Sequence, residues 1–301
     1  MIKHIVIAGG GTLTLRCLGS LQYLLENSII SYDNIESIYG TSAGAIMGVC
    51  LSLKMDIHLI VNYFVNRPWE DLYEVTPTHI YNLYSKKGIF DKECILKLVE
   101  PLLEFNNIPL DITLEDFYKK TNIDIHMFSI ELTGMEIVDI SHSTFPDLLL
   151  IDAIYMTSCL PFVFEPFLYN NTYYVDAGSI LNYPLTPCIE NLKKKGGFNE
   201  FEILGLATIK EKEEILTCTE KITESNLVAY SLFILLKLFK KTNQITKPTN
   251  VINTITYYTD ENVFSSLFES ISSPEKREQY IQEGKNAAES FSIQSGIDEL
   301  S

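Results

Sequence analysis

Ser42 lies in "IYGTSAGAIMG", residues 38–48, with Gly40 and Gly44 two positions away on either side. Glycines at those positions allow a sharp strand-to-helix turn that lifts the hydroxyl out of a sheet and presents it as a nucleophile. The small neighbours Ala43 and Ala45 keep the approach open. The same pattern also fits a tight turn with no chemistry. Catalysis needs two further groups, a base and an oxyanion-stabilising donor.

Histidine is the commonest base. The chain has His4, His58, His79, His126 and His142, and none in its second half. The α/β-hydrolase order places histidine after the serine and the acid, on a fold with several strands ahead of the elbow. Only one strand-like run precedes Ser42, so that fold does not match. His126 falls in an alternating strand and reads as a sheet residue, which leaves His142, in a polar turn, as the histidine candidate. A carboxylate is the alternative. "YYVDAGSILNYP" puts Asp176 at a strand end, beside Ala177 and Gly178, where small neighbours admit a bulky substrate. Within hydrogen-bond reach of Ser42, Asp176 would accept its proton directly. The competing role is that of a turn cap.

Gly9, Gly10 and Gly11 separate the first apolar run from the first helical pattern. Consecutive glycine amides at a helix N-terminus form an anion-binding nest. A phosphate-binding loop would need a following lysine, which is missing, and the dinucleotide pattern G-x-G-x-x-G fails at Thr14. An oxyanion hole facing Ser42 remains, because adjacent parallel strands bring both turns to one sheet edge.

The elements that must hold these groups follow from periodicity. "KHIVIAGGG" predicts a short buried strand and "LRCLGSLQYLLEN" a helix with Leu15, Leu18, Leu21, Leu24 and Leu25 on one face. "IESIYG" predicts a second strand and "AGAIMGVCLSL" a second helix. This order implies a parallel sheet with helices packed on it. Residues 57–120 read as mostly helical. "IDIHMFSIEL" and "MEIVDIS" read as adjacent strands around a Thr133-Gly134 turn. A helix ending at Pro161, strands at "TYYVDAG" and "FEILGLA", a helix over 222–242, a strand at "NVINTITYY" and a terminal helix at "EKREQYIQEGKNAAESF" complete the pattern.

The 301 residues, 46% hydrophobic and 21% charged, suit one domain with a sizeable core. A net charge of −16 argues against nucleic-acid partners and against strongly anionic membranes. The six cysteines have no metal or redox spacing, so reduced thiols and no metal or cofactor are expected. "MIKHIVIAGGG" lacks the features of a signal peptide and no apolar run has the length of a membrane span. A cytoplasmic protein, with room for transient contact with membrane surfaces or a place peripheral to them, is the expectation.

Taken together, these blocks resemble the patatin-like phospholipases. The glycine triplet is followed by Gly19 in "LGSLQYL", and "GTSAGAIMG" looks like the family's nucleophile elbow. "KKGIFDKECILKLVEPLL" and "FSIELTGMEIVDIS" are similar to its middle segments. "TSCLPFVFEPF" resembles the block ahead of its acid, and "YVDAGSILNYP" the acid with its Asn-x-Pro follow-on. The resemblance implies a three-layer α/β/α sandwich with a mostly parallel sheet, forming a single domain over 1–301. Its motifs lie in 4–187, and 188–301 completes the same fold. It implies a lipid acyl hydrolase of phospholipase A or lysophospholipase type, working on phospholipid or another acyl lipid without a metal. Ser42 would be the nucleophile, Asp176 the base, and the Gly10 and Gly11 amides the oxyanion hole. Gly9 would shape that loop, and Gly40 and Gly44 would permit the elbow.

Two departures stand out. The family's basic residue and glycine after the triplet are Leu13 and Thr14 here, with Arg16 near but out of register. Its Asp-Gly-Gly or Asp-Gly-Ala is Asp176-Ala177-Gly178, and a positive φ at Ala177 would cost on the order of 1 kcal/mol. They keep two other readings open: a lipid-binding protein with weak catalysis, and an acyltransferase that uses the same serine. Residues 228–241 form an apolar run with a basic end, read as a core helix, or else as a bilayer contact or a wall of the acyl channel. "KEKEE", residues 210–214, reads as a solvated surface segment. Trp69 reads either as an interfacial rim or as a residue packed under a loop.

Overall fold

In β1 (His4–Ile7), Ile5 and Ile7 face one apolar core and Val6 faces another. A strand covered on both faces belongs in the middle of a sheet. In the computed structural model, which describes residues 1–73, 83–210, 251–259 and 263–295, β1 lies between β2 (Ser37–Thr41) and β9 (Ile203–Lys210), parallel to both. The sheet extends in parallel to β10 (Thr254–Thr259) beyond β9 and to β4 (Asp124–Glu131) beyond β2. β5 (Glu136–Ile140), β7 (Phe167–Tyr169) and β8 (Thr172–Asp176) complete it with antiparallel pairings. Two short strands, β3 (Gly88–Phe90) and β6 (Phe162–Phe164), pair separately.

One face of the sheet is covered by α1 (Leu15–Glu26), α2 (Ala43–Ser52), α3 (Ile57–Asn66), α4 (Lys92–Phe105), α5 (Leu114–Thr121) and α6 (Leu150–Ser158), whose apolar residues share a core with Ile5, Ile38 and Met127. The opposite face is closed by α7 (Leu185–Lys194), which sets Leu185, Cys188 and Leu192 against Val6, Tyr39, Phe128 and Ile130. After α8 (Val263–Ser272), the last helix, α9 (Pro274–Ser295), lies along α1. This is the expected mixed α/β sandwich with a mostly parallel central sheet. The helix anticipated over 222–242, the run 228–241 and residues 211–214 lie outside the described residues. Among the described residues no helix is long and apolar enough to cross a membrane, and five cysteines are free.

Candidate active site

The register along β4 brings the two sequence candidates together. β2 pairs with β4 as far as Thr41 opposite Phe128, and β8 pairs with the next β4 residue, Asp176 opposite Ser129. β5 occupies the other edge of β4 across the same residues. The ends of β2 and β8 therefore abut on one edge, with Ser42 following the first and Asp176 closing the second. The Ser42 hydroxyl lies within hydrogen-bonding reach of the Asp176 carboxylate.

Ser42 has φ 56° and ψ −128°, a conformation that costs a non-glycine residue on the order of 1–3 kcal/mol. Its surroundings hold it there. The Ser42 N–H donates to Thr157 Oγ1 at 3.1 Å, and the Thr157 hydroxyl donates to the Phe128 carbonyl at 2.6 Å. The Thr41 hydroxyl donates to the Leu181 carbonyl at 2.9 Å. Glycine is required on both sides by space. A Cβ at Gly40 would stand 2.6 Å from the Ala45 nitrogen, and one at Gly44 would stand 2.5 Å from the Ile7 carbonyl oxygen.

Asp176 is buried, and its N–H donates to the Cys159 carbonyl at 3.1 Å. Burial pushes its carboxyl up to about 6, against the opposing hydrogen bonds from Ser42 and the Gly178 N–H. The Gly178 bond is 2.7 Å. Ala177 sits in a short 3-10 turn and is absent from the positive-φ residues, so the strain foreseen at that position does not arise.

The Gly9–Gly11 loop faces the elbow from the end of β1. A Cβ at Gly9 would be 3.3 Å from the Ser42 Cβ. Among the described residues, the N–H groups of Gly10 and Gly11 donate to no protein acceptor. Leu13 and Thr14 are buried in the 3-10 turn Gly11–Thr14 that leads into α1. Arg16 does not stand in for the family's basic residue. Its Nε lies 2.6 Å from Glu283 and its guanidinium stacks on Tyr280, both on α9.

The histidine candidates lie elsewhere. His142 sits 3.3 Å from Asp124 and stacks on Tyr118 at 3.8 Å. His126 is held between Asp124 and Asp139, at 3.2 and 2.8 Å. Burial alone would lower His126, but the two carboxylates overcome it and hold the imidazole at about 9. Asp124 opens β4 while Ser42 lies beyond the far end of the neighbouring parallel strand, so this cluster is at the opposite end of the sheet. Trp69 is packed inside, its Nε1 donating to the Phe64 carbonyl at 2.9 Å and Arg277 over its ring. Among the described residues no group of His, Cys, Asp or Glu is arranged to hold a metal.

Two residues of the site were not singled out from the sequence. Thr157 anchors the elbow, and Asn182 spans the glycine loop and the Asp176 turn. Their only sequence signal was membership of the "TSCLPFVFEPF" block and the Asn-x-Pro follow-on.

A serine on a strained elbow, within hydrogen-bonding reach of a buried carboxylate and beside a loop with two free amides, has the parts required for acyl transfer. The chain is 24% identical over 209 residues to the probable lipid hydrolase 463L of Invertebrate iridescent virus 6, covering 69% of this chain and 70% of that one. It is 24% identical over 196 residues to the uncharacterized protein R571 of Acanthamoeba polyphaga mimivirus, covering 65% of this chain and 64% of that one. In fold it is similar to VipD from Legionella pneumophila, with a TM-score of 0.54 and 19% identity, over 96% of this chain and 66% of VipD. The chain thus spans about two thirds of the length of these proteins. The model of the family described as patatin-like phospholipase matches residues 5–189. The chain belongs to the patatin-like phospholipase family, a family of lipid hydrolases.

Proposed function

We propose that this protein hydrolyses fatty-acyl esters of glycerolipids, as a phospholipase A or lysophospholipase, through Ser42 and Asp176. The observation that carries the reading is the Ser42 hydroxyl within hydrogen-bonding reach of the buried Asp176 carboxylate, with the glycine loop that carries the free amides of Gly10 and Gly11 packed against Ser42. Asp176 takes the proton as Ser42 Oγ attacks the ester carbonyl. The oxyanion accepts hydrogen bonds from Gly10 and Gly11. Collapse breaks the ester C–O bond, and the leaving alcohol takes the proton from Asp176. Water then gives a proton to the same carboxylate and attacks the acyl-enzyme. A second collapse frees the fatty acid and returns the proton to Ser42. The test is release of fatty acid and lysolipid from phosphatidylcholine. Acyl transfer to an added alcohol in place of water would overturn hydrolysis in favour of transfer.

The base must be ionised to work, and Asp176 titrates at about 6. kcat/KM is therefore expected to rise with pH through about 6 and to level off above it. On the acid side it should lose about tenfold per pH unit. A flat profile from pH 4 to 8 would contradict the assignment.

A row of exposed apolar side chains supports work at a lipid surface. Leu168 pairs with Tyr173 across β7 and β8, and the Leu132 N–H donates to the Tyr173 carbonyl at 2.9 Å. Met135 follows across the β4–β5 turn. These four are 38–54% exposed. They extend the sheet on the side where β2 delivers Ser42. The acidic chain favours a zwitterionic surface over an anionic one. Paired Leu132→Asp and Leu168→Asp changes should lower turnover on phosphatidylcholine vesicles by about tenfold or more. Turnover of a monomeric short-chain ester should stay unchanged. Equal loss on both substrates would remove the surface role.

A further inference from the structure

We infer that Asn182 is a positioning residue for the oxyanion hole, orienting and polarising the Gly10 N–H through the peptide that joins Gly9 to Gly10. The inference rests on the reading of Gly10 and Ser42 given above.

Three contacts carry it. The Asn182 side-chain amide donates to the Gly9 carbonyl at 3.2 Å. The Gly9 N–H donates back to the Asn182 carbonyl at 2.9 Å. Asn182 Oδ1 lies 2.7 Å from where a Cβ at Gly9 would stand and 3.3 Å from where one at Gly178 would stand. One side chain therefore fills the space between the glycine loop and the turn that carries Asp176. Its neighbour Leu181 accepts the Thr41 hydroxyl at 2.9 Å, which ties the elbow to the same segment.

The Gly9 carbonyl and the Gly10 N–H belong to one planar trans peptide, so they point in opposite directions. Fixing the carbonyl fixes the N–H. Gly10 has a φ of 158°, and no hydrogen bond of its own N–H holds the peptide. The clamp from Asn182 supplies that restraint. A hydrogen bond accepted by the carbonyl also polarises the amide and makes its N–H a stronger donor. Both effects act on the transition state, where the carbonyl oxygen becomes an anion, more than on substrate binding. Loss of the clamp should thus appear in kcat and leave KM nearly unchanged.

The experiment compares a short-chain oxoester with its thionoester, in which sulfur replaces the carbonyl oxygen. Sulfur is a weaker and larger acceptor, so donors set for oxygen favour the oxoester. Rates are measured for wild type, Asn182→Ala and Asn182→Asp, each on the upper plateau of its own pH profile, so that the protonation of Asp176 does not enter the comparison. The aspartate variant keeps the side-chain volume, and so provides the test should the alanine variant not fold. The expected result is a wild-type preference for the oxoester that shrinks at least tenfold in both variants, carried by kcat. Equal losses on both esters would mean that Asn182 supports the fold alone, and would overturn the inference. A wild type without preference, or an active Ser42→Ala control, would overturn the catalytic reading beneath it.

Discussion

Ser42→Ala is expected to lower kcat/KM on phospholipid by roughly 1,000-fold or more, and Asp176→Asn by a similar factor, since paired groups of this kind act as a unit. The asparagine variant carries a second signature. Asp176 is buried and its carboxyl is held up at about 6, against an ordinary value of 3.8. A raised carboxyl favours folding below the ordinary value. That advantage disappears as the pH climbs through the interval up to 6, and the folded state then carries an ionised, desolvated group. At pH 7 the cost is on the order of 3 kcal/mol. Asparagine removes it while keeping the shape. Asp176→Asn should therefore melt several degrees above the wild type at pH 7, with the difference fading below pH 4. A dead enzyme that is also more stable is what a functional carboxylate predicts. A variant that loses activity and stability together would indicate a structural aspartate.

The second large effect concerns the docking of α9 on α1. The helices touch backbone to backbone at two reciprocal glycines. A Cβ at Gly19 would overlap the Ile281 carbonyl, and one at Gly284 would overlap the Arg16 carbonyl. The Ser20 hydroxyl donates to the Gly284 carbonyl at 2.6 Å and accepts from Tyr257 at 2.8 Å, which joins both helices to β10. Gly284→Val or Gly19→Val must force the helices apart. The expected cost is about 3 kcal/mol, or a melting temperature lower by roughly 5 °C. Thermal unfolding followed by circular dichroism would show it. Unchanged melting in both variants would mean that the helices do not meet at these residues. Because α1 begins at the end of the glycine loop, the same variants should also lower activity before they unfold.

That Ser42, Asp176 and the glycine loop lie together was legible in the sequence, because each closes a strand-like run at the same end of the sheet. The sheet was legible for a different reason. Strands such as Ile5–Ile7 and Ile203–Leu206 are apolar on both faces, which suits buried parallel strands and little else. Thr157 gave no such signal, since a threonine near a helix end has many ordinary uses. Its value comes from a non-local register that sets it beside the Ser42 N–H. The three-residue strands β3, β6 and β7 were missed because so short a span shows no period. His142 attracted attention as a histidine in a polar turn. Only the direction of β4 reveals that its partner Asp124 lies at the wrong end of the sheet.

Whether Ser42 is an activated nucleophile is read out by intact-mass analysis after treatment with a fluorophosphonate, which traps such a serine in an analogue of the acyl-transfer intermediate. One adduct is expected on the wild type, placed on Ser42 by peptide mapping, with none on Ser42→Ala and much slower labelling of Asp176→Asn. A well-folded wild type that stays unlabelled, or an adduct that persists in Ser42→Ala, would contradict that role.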